Sequence, residues 1–229
     1  MKIFLKLSVT LSLLISNSLF AQNEKIFSQS LMQDSCDFVS QGRNLYCVLE
    51  PGFRLVLAGM EEKDSVRLEI TVTNETKIIC GIETRVVIEK ETENGALVEI
   101  SRNFMAFCKQ TSSVYYFGEE VDIYSDGKIV NHEGSWIATT KNNAGIVMPG
   151  IAIAGARYYQ EIAPGVAMDR AEILSNEESK KTPAGNFSNC HLTEESSDLE
   201  KGKENKCYAP GIGLIVEEEL LLVEYGFVK

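Results

Sequence analysis

Histidine is the scarcest of the residues that carry chemistry. The chain has two, His132 and His191, together with one tryptophan and five prolines. A nucleophile relay built on histidine therefore has few possible members, and the chain contains no Gly-x-Ser-x-Gly elbow, no His-Glu-x-x-His and no phosphate loop. Zinc is disfavoured too, because no two cysteines stand at Cys-x-x-Cys spacing. Basic residues are also in short supply: 22 Lys and Arg face 33 Asp and Glu, a formal charge of −11. Nucleic acid and anionic membrane surfaces are poor partners for such a chain. Beyond the first 21 residues no apolar run is long enough to span a bilayer as a helix. No metal, no cofactor, no nucleic acid and no membrane span are expected.

What is present begins with an export signal. Lys2 and Lys6 precede an apolar stretch from Leu7 to Phe20, and Ala21 offers a small residue for cleavage. Residues 1–21 read as a signal peptide, and 22–229 as one β domain whose first part, about 22–44, is a polar, irregular arm. The expected location is exported, periplasmic or extracellular. All six cysteines, Cys36, Cys47, Cys80, Cys108, Cys190 and Cys207, follow the signal, and an even number in an oxidising compartment points to disulfides. Spacing groups them into the local couples 36–47, 80–108 and 190–207. The second rests on Asn94-Gly95, a strong two-residue hairpin signal that would bring Cys80 nearly opposite Cys108. The third rests on a polar stretch centred between its two members.

Residues 66–72 alternate Val66, Leu68, Ile70 and Val72 with Arg67, Glu69 and Thr71, the period of a strand with one wet face. Similar β-rich segments recur at about 52–59, 82–91, 96–108, 112–118, 127–132, 156–162, 168–176, 185–194, 203–209 and 211–228, divided by turn clusters such as Ser125-Asp126-Gly127. No helical period competes. The expectation is an all-β fold, a curved antiparallel meander sheet closing into a barrel or half-barrel. The acidic runs at 176–181 and 194–206 read as solvated hairpin ends.

One run stands apart. From Asn142 to Gly165 the only charges are Arg157 and Glu161, and small residues (Gly145, Gly150, Ala152, Ala154, Gly155) are interleaved with Ile146, Ile151 and Ile153. Gly and Ala allow close approach of backbones, so the run either completes the core of a half-barrel or forms a lid over a cavity for an apolar or amphipathic ligand. In the second case Met148, Ile151, Ile153, Trp136 and Tyr158 are the candidate ligand-binding residues. Glu119, Glu161 and Asp169 are the alternative candidates for catalysis, since two carboxyls about 5 to 9 Å apart can share acid and base work on a glycoside.

Several motifs recur in a fixed order: Tyr115-Tyr116-Phe117-Gly118-Glu119, Gly134-Ser135-Trp136, Gly145-Ile146-Val147-Met148-Pro149, Tyr158-Tyr159-Gln160-Glu161, Pro164-Gly165-Val166-Ala167-Met168-Asp169 and Tyr208-Ala209-Pro210-Gly211-Ile212-Gly213. In these the chain resembles a family of exported bacterial β-proteins related to the domain-of-unknown-function group numbered 3108. It departs from the family pattern at Tyr115, where Trp is usual, at Ala144 and at Met168, and its six cysteines look like additions. The resemblance implies a curved antiparallel sheet and carries no established activity. The functional expectation is an exported, non-catalytic binding or envelope-associated protein, whose partner is an apolar small molecule or an envelope protein. The alternative is a secreted hydrolase using paired carboxylates.

Overall fold

The computed structural model describes residues 25–228; the signal peptide assigned to residues 1–21 lies outside them. No α-helix is present among the described residues, only a short 3-10 turn at Gln33–Ser35. Three short strands come first: β1 (Phe38–Val39), β2 (Gly42–Arg43) and β3 (Val48–Leu49). Five longer ones follow: β4 (Phe53–Glu61), β5 (Asp64–Ile79), β6 (Ile82–Glu93), β7 (Ala96–Cys108) and β8 (Val114–Ser125). Next come β9 (Lys128–Asn131), β10 (Trp136–Ile137), β11 (Asn143–Met148), β12 (Arg157–Tyr159) and β13 (Glu161–Ile162). The chain ends with β14 (Asp169–Thr182), β15 (Gly185–Ser197), β16 (Glu204–Ala209), β17 (Gly213–Glu217) and β18 (Leu220–Phe227).

The ladder runs β12-β14-β15-β16-β17-β18-β4-β5-β6-β7-β8-β11-β13, and every pairing along it is antiparallel. The expected curved meander is therefore present as a nearly closed barrel with one unsealed seam. The final strand returns to the first long one, with Leu222 opposite Leu57 and Phe227 opposite Phe53. Two segments differ from expectation. Residues 211–228 are two strands, because Glu218 (φ 47) turns the chain between β17 and β18. Residues 143–148, at the start of the run expected as core completion or lid, are strand β11, lying against β8 with Gly145 opposite Tyr116.

The two ends of the ladder are successive pieces of one segment, separated by Gln160 alone. Arg157–Tyr159 bonds to β14 and Glu161–Ile162 to β11. A Cβ added at Gly145 would lie 2.1 Å from the Gln160 carbonyl oxygen, and one at Gly150 would lie 1.9 Å from that of Thr111. Gly145 thus serves backbone contact at the seam, and Gly150 backbone contact with the β7–β8 turn. The N-terminal segment adds to β12 beside this seam. Ser28 N–H donates to Arg157 O at 3.0 Å and Ser28 O accepts from Tyr159 N–H at 3.2 Å. Phe27 packs edge-on against Tyr159, and Leu31 packs against the core.

This arm is tied down by a disulfide between Cys36 and Cys108, which corrects two of the expected couples. Phe38 of β1 pairs with Cys108 of β7 and so delivers Cys36 to it. Cys80 misses Cys108 because it sits with Gly81 in the β5–β6 turn (φ 51 and 81), its thiol donating to Ala138 O at 3.3 Å. Arg85 lies opposite Met105; extended by three residues, that register carries Cys108 abreast of Ile82. Cys47 faces the barrel interior, away from Cys36. The third couple is also out of step: Cys207 lies opposite Leu192, so Cys190 is its diagonal neighbour, and the two are buried free thiols.

A peptide map without reduction is expected to recover Cys36 crosslinked to Cys108. Cys36→Ser should lower the unfolding free energy by about 4 kcal/mol, the entropy of a loop of this span, as read from urea transitions. A crosslink from Cys108 to Cys80, or an unshifted midpoint, would contradict the arrangement.

Candidate functional site

Cross-strand partners share a face of a sheet, so the registers give the inner wall of the barrel row by row. One row reads Val72, Val87, Asn103, Glu119 and Trp136. The next reads Leu55, Ile70, Glu89, Ser101 and Val121, and the third Leu57, Leu68, Glu91, Glu99 and Ile123. On the far side Lys206 lies opposite Glu217, and Glu217 opposite Leu220. The interior is therefore apolar at one end and carboxyl-lined at the other.

The apolar end is closed by residues 44–49. Tyr46, Val48 and Leu49 are buried there. Tyr46 stacks on His191 with ring centroids 5.0 Å apart and donates its hydroxyl to Asn189 O at 3.0 Å. Asn44 Nδ2 donates to Ser112 O at 3.0 Å, and Leu45 O accepts from Gly211 N–H at 2.7 Å. This segment fills the apolar end of the barrel. Behind it lies a chamber of about 160 Å³, walled by side chains that include Tyr46, Leu49, Phe53, Leu55, Val72, Val87, Met105, Met148 and Leu214. Its polar boundary is formed by Gln160, Glu89, Glu195, Lys206, Tyr208 and Glu217.

Lys206 stands at the divide. Its Nζ is 2.7 Å from Glu217 Oε1 and 3.4 Å from Glu195 Oε2, and Tyr208 donates its hydroxyl to Glu195 Oε1 at 3.3 Å. Burial alone would lower the lysine pKa, but Glu195 and Glu217 outweigh it and hold it well above the usual range. The neighbouring carboxyls behave oppositely. Burial, reinforced by nearby carboxylates, pushes Glu89 and Glu91 up to about 7, and Glu99 and Glu204 are raised for the same first reason.

The sequence-derived candidates are distributed unevenly. Met148 lines the chamber. Trp136 is buried, packs edge-on against Tyr116 and donates its indole N–H to Glu161 Oε1 at 3.2 Å; it is not part of the chamber wall. Tyr158 packs with Ala171 and Ile173, its hydroxyl unpartnered among the described residues. Ile151 and Ile153 are 76% and 63% exposed, so neither caps a cavity: their loop is tethered outside the barrel by Gly150 N–H to Ser113 Oγ and by Asn176 Nδ2 to Ala152 O.

Two of the three acids proposed for catalysis flank Trp136: Glu119 lies opposite it across the ladder and Glu161 accepts its indole N–H. Burial first, then Asp169 and Glu119, pushes Glu161 up to about 8, while burial raises Glu119 to about 7 against the favourable influence of the Tyr116 hydroxyl. Asp169 itself is exposed, on a groove that also includes Glu195 and Lys206. Sequence reasoning missed Glu89, Glu91, Glu195, Glu204, Lys206 and Glu217. Three of these, Glu195, Glu204 and Lys206, fall within the 194–206 run taken for a solvated hairpin end.

Five of the six motif segments lie side by side, while the sixth, 208–213, forms the turn between β16 and β17. Trp136 lies opposite Glu119, Met148 opposite Val114, and Gln160 N–H donates to Asp169 O at 2.7 Å. No family model matches the chain, and no curated protein matches it. Among solved structures the chain is similar to a "putative lipoprotein" from Parabacteroides distasonis, at 13% identity and a TM-score of 0.40, over 81% of this chain and 100% of the other.

The raised Glu161 pKa has a definite sign. The folded state holds a proton that the unfolded chain releases near its ordinary value of about 4.5, so ionisation of Glu161 opposes folding as pH rises from there to about 8. Glu161→Gln, which keeps an acceptor for Trp136, should match the parent below pH 4.5 and become progressively more stable than it up to about pH 8. Urea midpoints of both proteins at several pH values check this; parallel profiles would show that Glu161 does not hold its proton.

Proposed function

We propose that this chain is an exported, non-catalytic binding protein of the bacterial envelope that holds a small apolar or amphipathic ligand inside its barrel. The chamber of about 160 Å³ carries this reading. Packed protein interiors leave few voids of that size, and a hydrocarbon-lined cavity of about 150 Å³ accepts benzene. The apolar part of the ligand accordingly has about six non-hydrogen atoms, well below a long acyl chain. The disulfide supports an oxidising compartment, and the motif resemblance to exported β-proteins agrees with it. Periplasm is the preferred location, with the small molecule rather than an envelope protein as the partner.

The hydrolase reading is favoured by the two coupled carboxyls, Glu119 and Glu161, whose pKa values suit acid catalysis near neutrality. Access argues against it. Glu161 is 7% exposed and bonded to Trp136, and neither acid belongs to the chamber wall.

Added 1-hexanol should raise the melting temperature saturably, because a ligand bound by the folded state alone stabilises it by mass action. Val87→Phe, which fills the chamber from its wall, should abolish that rise. An equal rise in parent and variant would place hexanol elsewhere, and no rise in either would remove the case for a binding chamber.

A further inference from the structure

We propose that the occupant of this cavity is a cation: a small amphipathic amine whose tail enters the chamber and whose ammonium group sits among the interior carboxyls. The inference rests on the binding reading above and adds to it the charge of the ligand. The chamber shares Glu89 and Glu217 with an adjoining hollow of about 290 Å³ lined by seven glutamates and two leucines. No lysine or arginine belongs to that lining. In the chamber itself Lys206 is the one basic residue on the wall, and it is already engaged by Glu217 and Glu195. An anionic head group would meet carboxyls with no free cation to receive it.

An independent observation asks for the same chemistry. Gln160, 7% exposed, lines the chamber, and its Oε1 has no hydrogen-bond partner among the described residues. A buried acceptor without a donor is uncommon in a folded protein and calls for one. Carboxylates are acceptors only, whereas an ammonium offers three donors and no acceptor. The polar wall and the occupant are thus complementary in hydrogen bonding as well as in charge. The raised pKa values of Glu89 and Glu91 agree: crowded carboxyls take up protons when no cation is at hand, and an arriving ammonium favours their ionised forms. Two narrow constraints then define the ligand, a tail of about six heavy atoms and a protonated amine.

The test compares three molecules of one length by calorimetric titration of the full chain at pH 7.5: 1-hexylamine, 1-hexanol and hexanoate. Hexylamine should bind about tenfold more tightly than hexanol, the scale of one hydrogen bond to a charged group, and hexanoate more weakly than hexanol. Glu89→Gln should narrow the advantage of the amine over hexanol; Glu91→Gln, which lies outside the chamber wall, should narrow it in the same way if the first variant folds poorly. Hexanol binding with no preference for the amine would overturn the charge assignment and leave the cavity reading intact. Failure of all three to bind would overturn both. Amine binding that survives Val87→Phe, or that ignores both glutamate substitutions, would be attraction to the acidic surface and would also overturn the proposal.

Discussion

A sheet that curls until its edges meet must satisfy the backbone groups of both edges, and in this protein both edges belong to the segment 157–162. Open edges invite pairing with other chains, so the local geometry at Gln160 constrains much that surrounds it. Gly145 has to lack a side chain because the Gln160 carbonyl occupies the space where one would stand. Ser28 has to reach Tyr158 because β12 would otherwise present an unpaired edge. The arm that supplies Ser28 is held in turn by the bond from Cys36 to β7. Seam, small residues, arm and disulfide are four aspects of one closure problem.

Closure also creates the electrostatic problem inside. Carboxyls from β6, β7, β15, β16 and β17 face inward, and Lys206 offsets only part of their charge. Proton uptake handles some of the remainder, as the high values at Glu89, Glu91 and Glu119 show. A hydrophobic filling would relieve this strain at no loss to the barrel geometry, since inward positions of small barrels are ordinarily apolar. The acidic lining is therefore a feature of the interior that the fold does not require.

Fold class was legible because Val66, Leu68, Ile70 and Val72 alternate cleanly, and Asn94-Gly95 forms the hairpin its chemistry demands, with φ of 49 and 82. The interior was not legible for the converse reason. In β6 the positions Val87, Glu89 and Glu91 share a face, and by composition alone Val86 and Ile88 look like the buried set. A polar inner wall inverts the usual inside-outside signal. The disulfides failed on a similar point: spacing measures distance along a hairpin, while Cys36 reaches Cys108 through the pairing of β1 with β7, a contact that no local count contains. Ile151 and Ile153 misled because an exposed isoleucine on a tethered loop has the same sequence signature as a buried one.

The position of that disulfide bears on how the chain acquires its covalent form. Cys36 and Cys108 are separated by 72 residues, with Cys47 and Cys80 lying between them. In a chain delivered N-terminus first, Cys36 meets both of these before Cys108 emerges. Chain statistics alone favour closure of the short loop to Cys47 over the long one by about 17-fold. The native bond can prevail only once β1 and β7 have met, so its presence records a tertiary event. Oxidation that runs ahead of strand pairing would trap the arm on its own hairpin, and thiol exchange would be needed to undo it.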